Sequence, residues 1–245
     1  MDEYGPATYG DRIAEVYDDA YTELPTEQTV EFLAELAGSG PVLELAIGTG
    51  RVALPLAARG VDVHGIDASE SMVARLREKP GGDRIPVTMG EMSEVAIEGR
   101  YSLVYLVFNT FFGLLTQEDQ VRCFRNVSVR LTDDGVFVLE AFVPDLARFD
   151  RGQRVSTDQV GTDRVRINVD RHHSTEQRVD SAHVLVGEEG VKIYPVRIRY
   201  AFPPELDLMA QLAGLRLRER FGDWQREPFD EGSGKHVSVY EVAPR

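Results

Sequence analysis

The stretch that most constrains this chain is Pro41-Val42-Leu43-Glu44-Leu45, followed by Ala46-Ile47-Gly48-Thr49-Gly50-Arg51 and the apolar run Val52–Ala57. Five residues of this kind read as a buried strand, and the two glycines as a turn into a helix that ends before Gly60. Pro55 sets the helix start near Val52, because a proline is tolerated only in the first turn, where its missing N–H has no partner to lose. Glycine admits backbone angles and close approach that a Cβ forbids, so a ligand can lie against the Gly48–Gly50 turn. Seventeen residues after Gly50, a second apolar run, Val61–Ile66, ends in Asp67. A carboxylate at the tip of the second strand is where a βαβ unit grips ribose hydroxyls. The pair implies a ligand that contains a nucleoside.

Gly48-Thr49-Gly50-Arg51-Val52-Ala53 also fits G-x-G-x-x-A, which leaves a dinucleotide open. Glu44 argues against it. A carboxylate near the turn repels a pyrophosphate, whereas an ammonium and a sulfonium are not repelled. Glu44 with Gly48-Thr49-Gly50 resembles motif I (E/D-x-x-x-G-x-G) of the class I S-adenosylmethionine-dependent methyltransferases, with Asp67 as the acid of motif II. The resemblance runs from about Tyr9 to the C-terminus. It implies S-adenosyl-L-methionine as cofactor and an α/β fold: a Rossmann-like seven-stranded sheet, last strand antiparallel, with helices on both faces. The implied cofactor residues are Tyr9, Tyr17, Glu44, Ala46, Gly48, Gly50, Asp67, Ala68, Met72, Glu91, Met92 and Phe108. The family usually has an aspartate at the Glu91 position, bonded to the adenine amino group; glutamate keeps the acceptor with a longer reach.

Composition narrows the partners. The 245 residues are 42% hydrophobic and 28% charged, as in an ordinary globular protein. No apolar run approaches a membrane span, and the acidic start Met1-Asp2-Glu3-Tyr4 lacks a signal peptide's basic and apolar regions. A lone cysteine, Cys123, excludes intrachain disulfides and points to the cytoplasm. Its helical context makes it a small buried hydrophobe, not a nucleophile. A net charge of −14 disfavours nucleic acid. Arg164, Arg166, Arg171, Arg178, Arg197 and Arg199 crowd one segment, but they alternate with apolar residues and read as a solvated strand face.

The chain divides into a helical lid (1–38), a cofactor-binding core (39–145), an antiparallel β insertion (146–202) and a C-terminal completion of the core sheet (203–245). In the lid, Ile13, Val16, Tyr17, Ala20 and Tyr21 recur at helical spacing, and Thr26 reads as the N-cap of a second helix running to Ala37. Strand and helix then alternate, the mark of a parallel sheet. Strands are expected at 42–45, 61–66, 85–89, 101–107 and 136–140, with Asp133-Asp134-Gly135 as a turn. Ser69 caps one helix, and Thr116 with Asp119 is spaced like a capping box for another. From Pro144 to Pro203 the period becomes two, with a Gly187-Glu188-Glu189-Gly190 turn. An insertion at this point makes the chain resemble N-methyltransferases of the glycine and dimethylaminosugar type, where it covers the acceptor pocket or forms a dimer contact.

The resemblance implies in-line displacement of a methyl group onto a small-molecule acceptor of specialised metabolism, with an amine nitrogen first and a hydroxyl oxygen as the alternative. Alternatives of other classes are an NAD-dependent oxidoreductase and a non-catalytic module that binds the same cofactor. Tyr21, Asn109, Glu140 and His236 are the candidates to face the acceptor. Among them, imidazole has the pKa best suited to a base, although nothing in the sequence pairs His236 with an orienting carboxylate. Phe108-Asn109-Thr110-Phe111 lacks the N/D-P-P-Y/F tetrapeptide of nucleic-acid amino methyltransferases. No metal is expected: His172 and His173 are strand neighbours that point to opposite faces, and His183 completes no zinc-like spacing. The edge of an inserted sheet makes a homodimer plausible.

Overall fold

A computed structural model describes residues 4–188 and 190–244. Met1–Glu3 of the acidic start and Glu189 of the expected turn lie outside the described residues. The first strand, β1 (Val42–Leu45), lies inside a seven-stranded sheet, flanked on both sides. Around it run β2 (Val63–Asp67), β3 (Val87–Met89), β4 (Tyr101–Leu106), β5 (Leu131–Phe142), and finally β10 (Leu215–Phe221) and β11 (Lys235–Val242). The order is β10-β11-β5-β4-β1-β2-β3. β1 to β5 are mutually parallel, whereas β11 is antiparallel to both of its neighbours. This is the Rossmann-like seven-stranded order, with its last strand antiparallel, that the sequence leads one to expect.

Both faces of the sheet are covered, so its central strands are apolar at successive positions. On β4 and β5, Val104, Leu106, Phe137 and Leu139 join one core cluster, and Leu103, Tyr105, Val136 and Val138 join the other. The first cluster packs under α6 (Gln117–Arg130) and α7 (Pro203–Leu212), the second under α3 (Thr26–Leu36) and α4 (Ala53–Ala58). The expected caps form at α5 (Glu70–Glu78) and α6. Ser69 Oγ accepts from the Met72 amide at 3.1 Å, and Thr116 Oγ1 accepts from the Asp119 amide at 3.1 Å.

Two local expectations are corrected. Thr26 is the first residue of α3 and not its cap; its hydroxyl accepts from Arg51 Nη1 at 3.0 Å instead. Asp133-Asp134-Gly135 does not end the strand element. β5 begins at Leu131, and pairing with β4 jumps from Tyr101↔Leu131 to Leu103↔Val136, so the extra residues are taken up as an irregularity inside the strand.

Between β5 and α7, the strands β6 (Gln153–Val160), β7 (Arg164–His173), β8 (Arg178–Gly187) and β9 (Gly190–Arg199) form a separate antiparallel sheet in sequence order. The short helices α1 (Thr8–Ile13) and α2 (Tyr17–Ala20) lie between the two sheets. Ile13, Ala14 and Met72 form a small cluster there, packed against Tyr17, Tyr21 and Tyr194.

Candidate active site

The carboxyl ends of β1 and β2 open into a cavity of about 1310 Å³ that extends to the inserted sheet. Pockets for one drug-sized ligand run to roughly 1,000 Å³, so this chamber has room for two ligands side by side. At its inner end the turn after β1 is wound through left-handed backbone: Ala46 has φ 55°, Gly48 58° and Gly50 78°. A Cβ on Gly48 would meet nothing nearer than the Ala46 carbonyl oxygen at 4.0 Å, so the backbone there is open to the chamber. Asp67 closes the turn from β2. Its Oδ2 accepts from the Gly48 amide at 2.7 Å and its Oδ1 from the Ser69 amide at 2.8 Å. Burial raises the Asp67 pKa, opposed by the backbone N–H groups of Ser69, Gly48 and Ala68. An uncharged turn beside a carboxylate suits an adenosine with a cationic sulfur.

The lid is tied to this end by polar contacts. Asp18 Oδ1 accepts from Thr49 Oγ1 at 2.6 Å and Oδ2 pairs with Lys79 Nζ at 2.6 Å, while Lys79 also donates to the Thr49 carbonyl at 2.8 Å. Ser69 Oγ donates to Asp11 Oδ1 at 2.6 Å. Tyr9 and Tyr21 share a hydroxyl hydrogen bond of 2.7 Å, and the Tyr21 ring packs on Tyr17 (4.8 Å) and Phe108 (5.1 Å). Burial lifts the Tyr17 pKa to about 12, and Tyr9 is likewise raised, so both hydroxyls stay protonated.

After β4 the backbone makes a second tight corner, with Phe108 at φ 55° and Asn109 at 64°. Two left-handed residues in succession cost free energy and need outside support. Glu140 supplies it: its Oε2 accepts from the Phe108 amide at 2.8 Å, and its carbonyl accepts from the Asn109 amide at 3.2 Å. Asn109 Oδ1 in turn accepts from the Phe142 amide at 2.6 Å. The two strand ends thus fix each other where the chamber passes from the core sheet to the insertion.

At the outer end, residues of the inserted sheet line the chamber, among them Arg154 and Ser156 from β6, Arg164, Arg166, Asn168 and Asp170 from β7, Ser181 and His183 from β8, and Tyr194, Val196 and Ile198 from β9. Asp170, 6% exposed, accepts from Ser181 Oγ at 2.7 Å and lies 3.5 Å from Arg148. His172 stacks on Phe149 with ring centres 4.7 Å apart and shares a 2.9 Å hydrogen bond with the Tyr200 hydroxyl.

Comparison with known proteins fixes the family. Residues 42–135 match the family described as methyltransferase domain. The CcbJ methyltransferase from Streptomyces caelestis is 40% identical, with a TM-score of 0.92 over 98% of this chain and 100% of that one. The chain is a class I S-adenosylmethionine-dependent methyltransferase. The cypemycin N-terminal methyltransferase of a Streptomyces species is 26% identical over 96% of this chain and 98% of its own. The fold also matches CalS10, an amino pentose methyltransferase from Micromonospora echinaspora solved with S-adenosylmethionine bound, at 21% identity and a TM-score of 0.68 over 91% and 96% of the two chains. S-adenosylmethionine is therefore the cofactor of this methyltransferase, and the nicotinamide and non-catalytic alternatives fall.

Most of the residues picked from the sequence meet in the chamber. Tyr9, Tyr17, Ala46, Gly48, Asp67, Ala68 and Met72 line its inner end, as do Glu91, Met92 and Phe108; Tyr21 and Asn109 line it farther out. Four do not. Gly50 faces the core: a Cβ there would sit 2.3 Å from Leu76 Cδ1, so this glycine lets the turn pack on α5. Glu44 is buried behind the turn, bordering a small separate void, where its Oε2 accepts from the Tyr105 hydroxyl at 3.0 Å. Burial pushes it up to about 8, so near neutrality it is largely uncharged. The cofactor inferred from it stands, but not on repulsion by a charge facing the ligand.

Glu140 stands behind the Phe108–Asn109 corner. His236, paired with Ala141 inside the sheet, is fully buried; its Nδ1 hydrogen-bonds Ser238 Oγ at 2.8 Å, and burial drives its pKa to about 4. It does not reach the chamber. The expectation of a solvated arginine face holds for Arg164, Arg171 and Arg197, which are exposed, and is corrected for Arg199. Arg164, Arg166 and Arg197 line the chamber, and Arg199 is buried against Glu205 at 2.7 Å and the Gln120 carboxamide. Cys123 is buried, its thiol pushed to about 12.

Sequence reasoning missed Asp11, Asp18 and Lys79, which clasp the lid, and Asp170, Phe149 and Tyr200 at the outer end. Their only signal is polarity or aromaticity at unremarkable spacing. His172 and His173 do point apart, toward Tyr200 and toward Asp180. Among the described residues no group of three or more His, Cys, Asp or Glu is disposed to hold a metal ion, and no helix is long and apolar enough to cross a membrane.

Proposed function

We propose that this methyltransferase transfers the methyl group to the nitrogen of a small-molecule amine that enters the outer half of the chamber. The observation that carries the reading is continuity: one cavity joins the Gly48–Asp67 corner to the polar face of the inserted sheet, with Tyr21, Phe108 and Asn109 at the waist. When bound, the cofactor supplies a methyl on a sulfonium that departs as a neutral thioether. Gly48 and Ala46 would let the cofactor approach the turn, Asp67 would accept from ribose hydroxyls, and Glu91 with Met92 would flank the base. Tyr9 and Tyr17 would cover the donor end. Phe108 and Asn109, braced by Glu140, would hold the acceptor in line, and such orientation contributes up to roughly 7–11 kcal/mol.

A neutral amine carries its own lone pair, so no protein base is required, in keeping with the position of His236 outside the chamber. The names of relatives favour nitrogen: the cypemycin N-terminal methyltransferase and, by fold, the sugar N-methyltransferase KedS8. The test is transfer from labelled cofactor to matched amines and alcohols, with the methylated atom located by mass spectrometry and NMR. Product on nitrogen supports the reading; product only on oxygen replaces it.

The cytoplasm is the proposed location, on the strength of the free buried thiol of Cys123. A second copy of this chain is the proposed partner, seated on the outer face of the inserted sheet. There Val155, Val191 and Ile193 are 70%, 62% and 56% exposed, and an apolar face covers its own copy in a two-fold contact. Sedimentation equilibrium of the wild type against Ile193→Lys checks it: a dimer turned monomer supports the contact.

A further inference from the structure

On β6 and β7 the inserted sheet faces the chamber with polar and charged residues, and on β9 with Tyr194, Val196 and Ile198. On β7, Arg164, Arg166, Asn168 and Asp170 are spaced by two and share the inner face, while Val169 between them is 43% exposed. Arg164, at the outer end of this row, is exposed, and Arg166 is half-buried. A guanidinium half-buried at a cavity wall is rarely left without a partner. Arg154 is the informative member. It is half-buried on β6, opposite Asp170 in the strand register, and lines the chamber. Asp170 is engaged elsewhere, by Ser181 and Arg148. Among the described residues, no carboxylate pairs with Arg154 or with Arg164.

We propose that the acceptor carries an oxoanion group, a carboxylate or a phosphate, remote from the atom that takes the methyl, and that Arg154 receives it. A guanidinium presents a planar fork of donors that matches such a group two-pronged. Arg164 and Arg166, farther along β7 toward the hairpin end, extend the positive lining outward and steer an anion inward, an effect that salt screens. The assignment rests on the reading of the outer chamber as the acceptor site. It adds the charge of the substrate, which neither the methyl-transfer chemistry nor the choice of nitrogen specifies.

The test uses the full chain loaded with S-adenosylhomocysteine, titrated with glutarate and with inorganic phosphate while arginine Nε–Hε NMR signals are followed. The expected result is a saturable shift for at least one probe, in signals that Arg154→Gln removes. Affinity should fall by about tenfold in Arg154→Gln, by less in Arg154→Lys, and in Arg164→Gln only at low salt. The same variants are assayed on pairs differing in one group: 6-aminohexanoate against 6-aminohexanamide, and 6-hydroxyhexanoate against its amide. A preference for the acid within whichever pair turns over, abolished by Arg154→Gln with homocysteine-ligand affinity unchanged, supports the proposal. Methylation of the hydroxyl pair alone removes the nitrogen reading and leaves the charge preference to be read. No saturable shift with either probe, or a shift unaltered in Arg154→Gln, overturns the proposal.

Discussion

The two sheets of this methyltransferase are built on opposite plans. In the seven-stranded sheet, successive residues of β4 and β5 are buried on both faces, and Leu103, Val104, Tyr105 and Leu106 are each fully enclosed. In the four-stranded sheet the two faces differ: on β6 and β7 the residues lining the chamber are polar, and Val155, Val169, Val191 and Ile193 are exposed on the outer face. The first sheet is a stability element whose loops form the proposed cofactor end. The second lends one face to the proposed acceptor site, and its fold is held by strand pairing and by a few contacts at its base, such as Arg199 with Glu205. Period tells that a strand has two unlike faces; it does not tell which one turns toward a site.

The sharpest contrast is in packing. Leu139→Ala in the core sheet should cost about 2–5 kcal/mol, because it leaves a cavity in a fully buried cluster. Ile193→Ala on the outer face of the insertion, 56% exposed in the single chain, should stay within about 0.5 kcal/mol when measured at dilutions where the chain is monomeric. Urea midpoints of the two variants decide; equal losses would erase the distinction between the sheets.

Next comes the corner that joins them. Glu140→Ala strips the Phe108 amide of its acceptor, so kcat should drop about tenfold while S-adenosylhomocysteine affinity holds, in line with an unsatisfied buried donor costing roughly 1–3 kcal/mol. Steady-state rates beside calorimetry separate the two quantities.

The buried acid on the core side gives a pH signature. The folded Glu44 carboxyl, at about 8, lies above its ordinary 4.5, so the native state binds more protons between these values. Stability therefore falls as pH rises toward 8. Between pH 6.5 and 8 the wild type should lose more stability than Glu44→Gln; His236, lowered from 6.5 to about 4, contributes its change only below that window. Parallel curves for the two proteins would mean Glu44 is ionised throughout.

Smallest is the lid. Asp18→Asn weakens an ion pair that is half exposed, worth about 0–1 kcal/mol, so cofactor KM should rise only a few-fold. A change of a hundredfold would show the clasp, not Asp67, to hold the cofactor.

Much of the fold was legible because its signals are local and physical. The strand–turn–helix at Val42–Ala58 follows from apolar runs, two glycines and Pro55, and Ser69 and Thr116 are caps by their short side-chain oxygens. The chamber's inner end was legible for the same reason. What escaped depends on orientation: Gly50 turned toward Leu76, Glu44 withdrawn behind the turn, His236 enclosed in the sheet, the arginines of β7 facing in. Each lies one backbone rotation or one strand face from the expected position, and tertiary packing alone decides that.

The central claim is that the two sheets divide the labour, the core holding the cofactor and the insertion the acceptor. Calorimetric titration with S-adenosylhomocysteine of the wild type, Asp67→Ala and Arg154→Gln tests it most directly. The account predicts tight binding to the wild type, at least about a hundredfold weaker binding to Asp67→Ala, and wild-type affinity for Arg154→Gln. Undiminished binding to Asp67→Ala, or binding lost with Arg154, would contradict it.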